Sequence, residues 1–314
     1  MDEIDKGILS QLSRNCRMTY EELSRKYGIT ANAIKRRVQK LEENKVIAGY
    51  SVTLRPAMID ANQIIGMIET DGTMDEHEYV SEIGSHPLVV AAAAYTDGYY
   101  ALIAEYITPS DLAELSTYLR SLHGAKSVEI HTFITRRGKK MNLNKLHLRV
   151  IASLIKDARM SIIEIVKDTG FSARRVRRAL DELILGEGIR FAALLELGAA
   201  SSIPFLVKCY YDEKRITPDK INQELEDKYT MPYWEAYISA TEPLFYCLMA
   251  VDYLSEIDDV VRTLRREEYI TSVRPLIGFY HDYFDGPRTR KLREILLDSG
   301  LIDEIPTLLP RSEF

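Results

Sequence analysis

Apolar residues near the amino terminus fall at Ile4, Ile8, Leu9 and Leu12, the three- and four-residue spacing of a helix with one buried face. Thr19 followed by Glu22 has the reciprocal chemistry that opens a helix: the hydroxyl serves the backbone amide three residues on, and the carboxylate serves the cap's own amide. A second short helix is therefore predicted through Leu23 to Tyr27, ended by Gly28. Thr30 can cap a third, on which Ile34, Val38 and Leu41 share a face, and Val46-Ile47-Ala48-Gly49-Tyr50-Ser51-Val52 then alternates as a strand. Three short helices, a glycine turn and a strand make a winged helix-turn-helix.

The period then changes. Gln63 to Thr70 reads as strand, Asp75 to Ser85 as helix, Val89 to Tyr95 and Tyr99 to Tyr106 as strands, Ser110 to Leu122 as helix and Ser127 to Thr135 as strand. Thr108-Pro109 supports the second helix start, because proline at the first helical position lacks an amide that would go unpaired anyway. The order βαββαβ implies an antiparallel sheet with helices on one face, leaving the other face partly apolar and in need of cover. Two copies within one chain, or two chains, would each supply it.

The whole pattern recurs. A constant shift of 142 residues carries Leu12 onto Leu154, Arg17-Met18 onto Arg159-Met160, Glu22 onto Glu164, Gly28 onto Gly170, Arg36 onto Arg178, Leu41 onto Leu183 and Ile47 onto Ile189. Thr217-Pro218 repeats the proline helix start for the second βαββαβ segment, which runs from Pro204 to Gly286. The basic run Arg136-Arg137-Gly138-Lys139-Lys140 reads as the exposed joint between copies. Asp285-Gly286-Pro287 punctuates the end, with one more helix expected over Arg290 to Leu297 before a proline-bearing tail. The expected fold is α+β: two winged helix-turn-helix domains, 1–57 and 141–198, the second either intact or degenerate, alternate with two ferredoxin-like βαββαβ domains, 58–140 and 199–286, and 287–314 carry the final helix and tail.

Composition narrows the function classes. The chain has 314 residues, 46% of them hydrophobic and 28% charged, enough for several packed cores. No stretch reaches the run of about 20 apolar residues that crosses a bilayer, and Met1-Asp2-Glu3-Ile4-Asp5 is too acidic for a secretory signal, so a cytoplasmic protein without a membrane partner is expected. Cys16, Cys209 and Cys247 are far apart and suggest neither disulfides nor a zinc site. The six histidines, His77, His86, His123, His131, His147 and His281, are scattered, and no glycine loop with its lysine cradles a phosphate. No cofactor, metal or catalytic residue is expected. A net charge of −6 excludes indiscriminate coating of nucleic acid, so any DNA contact must be a local patch.

Such a patch is legible on the third helix. With Ile34, Val38 and Leu41 inward, the opposite face carries Asn32, Lys35, Arg36 and Gln39, with Lys40 on its flank and Thr30 at its start. These side chains donate to phosphates and base edges, and no acid sits among them. A solvated helix face is the bland alternative; the glycine turn, the short preceding helix and the following wing favour double-stranded DNA. Arg14, Arg17, Arg25 and Lys26 are further candidates for phosphate contact. In the second copy Val176, Leu180 and Leu183 face inward and Arg174, Arg177, Arg178 and Asp181 outward, with Arg175 and Glu182 beside them. Arg177 with Asp181 and Arg178 with Glu182 lie four apart, so this mixed face serves either DNA contact or a structural, dimer-supporting role.

With these residues placed, the chain resembles the Lrp/AsnC, or feast/famine, family of transcriptional regulators over nearly all its length. The resemblance rests on Asp2-Glu3-Ile4-Asp5-Lys6-Gly7-Ile8-Leu9, on Gly28-Ile29-Thr30 leading to Ile34-Lys35-Arg36-Arg37-Val38-Gln39-Lys40-Leu41, and on Val46-Ile47-Ala48-Gly49-Tyr50. It implies that the βαββαβ unit is the family's RAM domain, which assembles subunits and often binds a small effector such as an amino acid. The matching turn is Thr96-Asp97-Gly98-Tyr99, which is either an effector-binding loop or an ordinary Asp-Gly hairpin. The second copy has Ala240-Thr241-Glu242-Pro243 there, without glycine. The assembly implied is a homodimer or a pseudo-dimer within one chain. An enzyme class, siroheme decarboxylase, is built from similar halves. By resemblance it would call for a histidine-rich stretch and a tryptophan segment, and the single tryptophan here lies in Pro232-Tyr233-Trp234-Glu235. A ligand sensor that keeps its winged domains only for assembly is the third class.

Overall fold

A computed structural model of the protein describes residues 1–134, 136–196, 198–200, 202–229 and 233–303. In chain order, α1 (Glu3–Arg14), α2 (Tyr20–Tyr27), α3 (Ala31–Glu43) and β1 (Ile47–Leu54) are followed by β2 (Asn62–Glu69), α4 (Glu76–Ser85), β3 (Val89–Tyr95), β4 (Tyr99–Tyr106), α5 (Pro109–Ser121) and β5 (Ser127–Ile134). The second half repeats this with α6 (Lys145–Leu154), α7 (Ile162–Thr169), α8 (Ala173–Leu185), β6 (Ile189–Leu195), β7 (Ile203–Tyr211), α9 (Pro218–Lys228), β8 (Tyr233–Ser239), β9 (Leu244–Val251), α10 (Leu254–Arg266) and β10 (Ile270–Tyr283). A final helix, α11 (Pro287–Asp298), begins three residues before the expected Arg290 because Pro287 starts it at its first position. The proline-bearing tail lies outside the described residues.

The alternating halves do not pack in sequence order. Met1–Gly7, Asn62–Thr135 and Leu197–Phe284 form one compact unit, and Ile8–Ala61, Arg136–Glu196 and Asp285–Phe314 form another. Each unit thus takes one like part from either copy.

In the winged unit, β1 and β6 pair antiparallel from Ile47 with Leu195 to Leu54 with Ile189. Ser51 opposes Ala192 and Tyr50 opposes Ala193, so exchanging the copies by the 142-residue shift maps the ladder onto itself. The same exchange relates two arginines. The Arg17 guanidinium donates to the Ala158 and Met160 carbonyls at 3.2 and 2.6 Å, and Arg159 donates to the Cys16 and Met18 carbonyls, the latter at 3.2 Å. A charged donor to a carbonyl contributes about 1.5–3 kcal/mol, so these reciprocal clasps add substantially to the ladder. Arg159 also lies over the Tyr20 and Tyr50 rings, positions at which the second copy has Ile162 and Ala192. Beside β1, α11 docks through the buried Arg288, which donates to the Leu54 carbonyl at 3.0 Å, and Arg293 grips Asp285 with two bonds of 2.6 and 3.0 Å.

The joint over Arg136–Lys140 is exposed, as the run of like charges implies, but it is also fastened to its surroundings. The Ala57 amide donates to the Arg137 carbonyl, the Lys139 amide to Glu187, and Lys140 pairs with Asp60 at 2.7 Å.

In the other unit both βαββαβ copies close one barrel in the order β10-β3-β4-β2-β5-β8-β9-β7, with β7 returning to β10. The face each sheet needed to cover is covered by the other copy: Ile65, Met67, Tyr95 and Phe133 pack against Leu206, Tyr246 and Leu276 inside the barrel. Outside, α4 and α5 bury Tyr79, Ile83, Leu115 and Leu119 on the first sheet, and α9 and α10 bury Ile221, Leu225, Val261 and Leu264 on the second. The two seams are unequal. Among the described residues β5 reaches β8 through Phe133 and Ile134 alone, whereas β10 pairs five residues with β3, Gly278 and, past a bulge between Gly278 and Tyr280, the four residues Tyr280 to Tyr283.

Candidate nucleic-acid interface

The helix-turn-helix of each copy is set by the same local chemistry. Thr19 and Glu22 form a complete capping box on α2, and Ser161 and Glu164 form its counterpart on α7. Gly28 and Gly170 end these helices at φ +67° and +71°, the left-handed region where a side chain would be strained, and this bends the chain into the next helix. Thr30 then accepts from the Ala33 amide at 3.2 Å and Ser172 from the Arg175 amide at 3.4 Å, capping α3 and α8.

On α3, Ile34, Val38 and Leu41 are buried and Asn32, Lys35, Arg36, Gln39 and Lys40 are exposed, the arrangement that the helical spacing predicts. Between Asn32 and Lys40 there is no acidic residue, so the positive field of the four cations over this stretch, Lys35, Arg36, Arg37 and Lys40, is not offset within it.

On α8, Val176, Ala179, Leu180 and Leu183 are buried while Arg174, Arg175, Arg177 and Arg178 are exposed. The arginines differ in their engagement. Arg178 donates to Glu182 at 2.7 Å, and Glu182 also meets the buried His147 at 2.8 Å, so this carboxylate is held below its usual range first by Arg178 and then by His147. Arg175 lies over the Phe171 ring at 4.5 Å. Among the described residues no ion pair is formed by Arg174 or Arg177.

One phosphate candidate is corrected. Arg17 is partly buried with its guanidinium committed to the two carbonyls of the other copy, whereas Arg14, Arg25 and Lys26 are exposed. Its pairing partner lies 141 residues away, so helix periodicity carried no sign of it.

The Thr96–Tyr99 turn has Asp97 at φ 62° and Gly98 at φ 67°, the two left-handed residues of a type I′ hairpin. Both hydroxyls are engaged across the barrel: Thr96 Oγ1 accepts from the Ile277 amide at 3.2 Å, and Tyr99 Oη accepts from Arg274 at 3.0 Å, with the guanidinium 4.4 Å above the ring. Asp97 alone of the four is exposed.

The barrel holds a polar cluster that sequence reading missed. Glu129 on β5 pairs with Lys208 on β7 at 2.5 Å and accepts from Tyr246 on β9 at 3.5 Å. His131 lies beside it, nearly fully buried, with Nε2 3.5 Å from Glu129 and Nδ1 3.9 Å from Glu242, and neither nitrogen has a hydrogen-bond partner among the described residues. The His131 ring first, then Lys208, hold the Glu129 carboxyl down to about 2. Only the expected alternation of β5 gave any sequence signal for this cluster, by turning Glu129 and His131 to one side.

The three cysteines are free and buried, and burial pushes the Cys16 thiol up to about 12 and holds the Cys209 and Cys247 thiols well above their ordinary value, which disfavours a thiolate nucleophile. Among the described residues no group of three His, Cys, Asp or Glu side chains is arranged to hold a metal ion, and no helix is long and apolar enough to cross a membrane.

Comparison with known proteins bears on the same surface. Residues 1–42 match the AsnC-type helix-turn-helix domain. An uncharacterized HTH-type transcriptional regulator of Pyrococcus horikoshii is 49% identical over 57 residues, 18% of this chain and 37% of that protein, and one of Pyrococcus furiosus is 41% identical over 83 residues, 26% and 53% respectively. The chain therefore spans only about a third to a half of the length of these two relatives. The HTH-type transcriptional regulator LrpA of Pyrococcus horikoshii is 30% identical over 111 residues, covering 31% of this chain and 78% of that regulator. Among solved structures, the siroheme decarboxylase NirDL superposes over 95% of this chain and 99% of its own with a TM-score of 0.52 at 13% identity, a likeness of fold.

Proposed function

Since the chain belongs to the Lrp/AsnC family, we propose that it is a sequence-specific DNA-binding transcriptional regulator, not an enzyme, in which one chain presents both winged domains as a built-in pseudo-dimer. The observation that carries this reading is the α3 face, where Asn32, Lys35, Arg36, Gln39 and Lys40 stand exposed on a capped helix behind a glycine turn. The self-matching β1–β6 ladder supports the second half of the proposal, because it gives one chain the two-fold relation that a regulator dimer uses to meet two half-sites about one helical turn apart. No effector is assigned to the Thr96–Tyr99 turn, whose hydroxyls hold the two copies of the barrel together.

A salt titration of binding to genomic DNA fragments tests the reading. Each phosphate neutralised contributes about −0.9 to the slope of log affinity against log salt. Wild type is expected to bind with a steep negative slope, and Lys35→Ala/Arg36→Ala to bind more weakly with a slope shallower by about one to two. Equal slopes for the two proteins would leave the winged domains with an assembly role only. Binding of a porphyrin, read as a shifted absorbance band, together with no DNA binding, would favour the decarboxylase-like class.

A further inference from the structure

We infer that the DNA site is two unlike half-sites read in one fixed orientation, not an inverted repeat. This rests on the regulator reading and asks what its two reading helices recognise.

Scaffold and reading surface contrast. The scaffold is symmetric: the β1–β6 ladder, the Arg17 and Arg159 clasps, the capping boxes and the two left-handed glycines all map onto one another under the 142-residue shift. The reading faces do not. Asn32 becomes Arg174, Lys35 becomes Arg177, Gln39 becomes Asp181 and Lys40 becomes Glu182, and only Arg36 keeps its type, as Arg178. Even that arginine differs in availability, since Glu182 engages Arg178 at 2.7 Å.

The chemistry selects different bases at two matched pairs, Asn32 with Arg174 and Gln39 with Asp181, while Lys35 and Arg177 both match guanine. Asn and Gln side chains form paired bonds to the N6 and N7 of adenine, so Asn32 and Gln39 suit an adenine-containing half-site. Arg174 and Arg177 carry forks that match guanine O6 and N7, and Asp181 can accept from cytosine N4, so α8 suits a G·C-containing half-site. Asp181 and Glu182 also weaken attraction to phosphates along the middle of the α8 face, where α3 has Gln39 and Lys40. In a dimer of identical chains both half-sites meet the same helix; fusion removed that constraint, and these two helices have taken different side chains on one frame.

Selection from random-sequence duplexes with the full-length chain tests this directly, using wild type, Asn32→Ala/Gln39→Ala and Arg174→Ala/Arg177→Ala. Wild type is expected to enrich two unlike half-sites at fixed spacing and orientation. Asn32→Ala/Gln39→Ala should lose roughly tenfold to a hundredfold discrimination in one half while the other half is selected as before, and Arg174→Ala/Arg177→Ala should do the reverse. The surviving preference in each variant shows that it has folded. A selected inverted repeat, or a site unchanged by Arg174→Ala/Arg177→Ala, would overturn the inference while leaving the regulator reading intact. Failure of wild type to enrich any sequence would overturn both.

Discussion

Glu129 joins strands of both copies inside the barrel, and its energetics are set by groups that only folding brings near it. His131 and Lys208 hold its carboxyl at about 2, below the ordinary carboxylate value, so the stabilisation is complete above about pH 4.5 and is lost as pH falls from there through 2. Glu129→Gln removes this titration. Urea unfolding at a series of pH values should therefore show wild type losing more stability than the variant between pH 4.5 and 2. The difference should be about 1 kcal/mol or less, because the carboxylate is 46% exposed and solvent screens it. Parallel curves would mean that the cluster contributes nothing to folding. The cluster was not legible in the sequence: Lys208 is 79 residues from Glu129, and neither residue type nor local spacing links them. Thr30 and the α3 face, by contrast, were legible because a cap and a helical face depend on residues within three or four positions.

At the scale of elements, the glycine turns separate local conformation from tertiary contact. Gly170 sits at φ +71° with open space where a Cβ would stand, so Gly170→Ala should cost about 1 kcal/mol, the strain of the left-handed conformation alone. At Gly98, φ +67°, a Cβ would stand 2.9 Å from the Gly72 backbone and from Thr70 Oγ1, which itself donates to the Gly98 carbonyl. Gly98→Ala should therefore be the more destabilising of the two, by 1 kcal/mol or more beyond strain. Denaturant midpoints check the order, and equal losses would show that the second turn yields without cost. Both glycines are visible in the sequence as turn signals. That one turn is open and the other pressed against a neighbouring loop is not, because the loop over Gly72 belongs to a different connection.

For the whole molecule, the internal pairing of the copies makes stoichiometry the informative measurement. With two winged domains joined through β1 and β6, one chain should saturate one operator duplex, and sedimentation of the complex should give a single chain per duplex. Arg17→Ala/Arg159→Ala deletes both reciprocal clasps and leaves four carbonyls without these donors, so it should weaken operator binding while leaving the charges of α3 and α8 untouched. Two chains per duplex in wild type would instead place the two-fold axis of recognition between chains.

The residue pattern by itself determined the repeat, the helices and strands and their caps, the inward and outward faces of α3 and α8, and the α+β class, since periodicity and capping act over a few positions. It also showed that the βαββαβ sheets needed covering, but an apolar face does not specify its partner. Tertiary structure decided that each copy covers the other within the chain, that Arg17 clasps the opposite copy where a phosphate contact had been expected, and that the Thr96 and Tyr99 hydroxyls are engaged across the barrel. The physical reason is range. Strand pairing, ion pairs across the barrel and guanidinium clasps join residues scores to hundreds of positions apart, and tethering the copies in one chain raises their local concentration far above that of a separate partner.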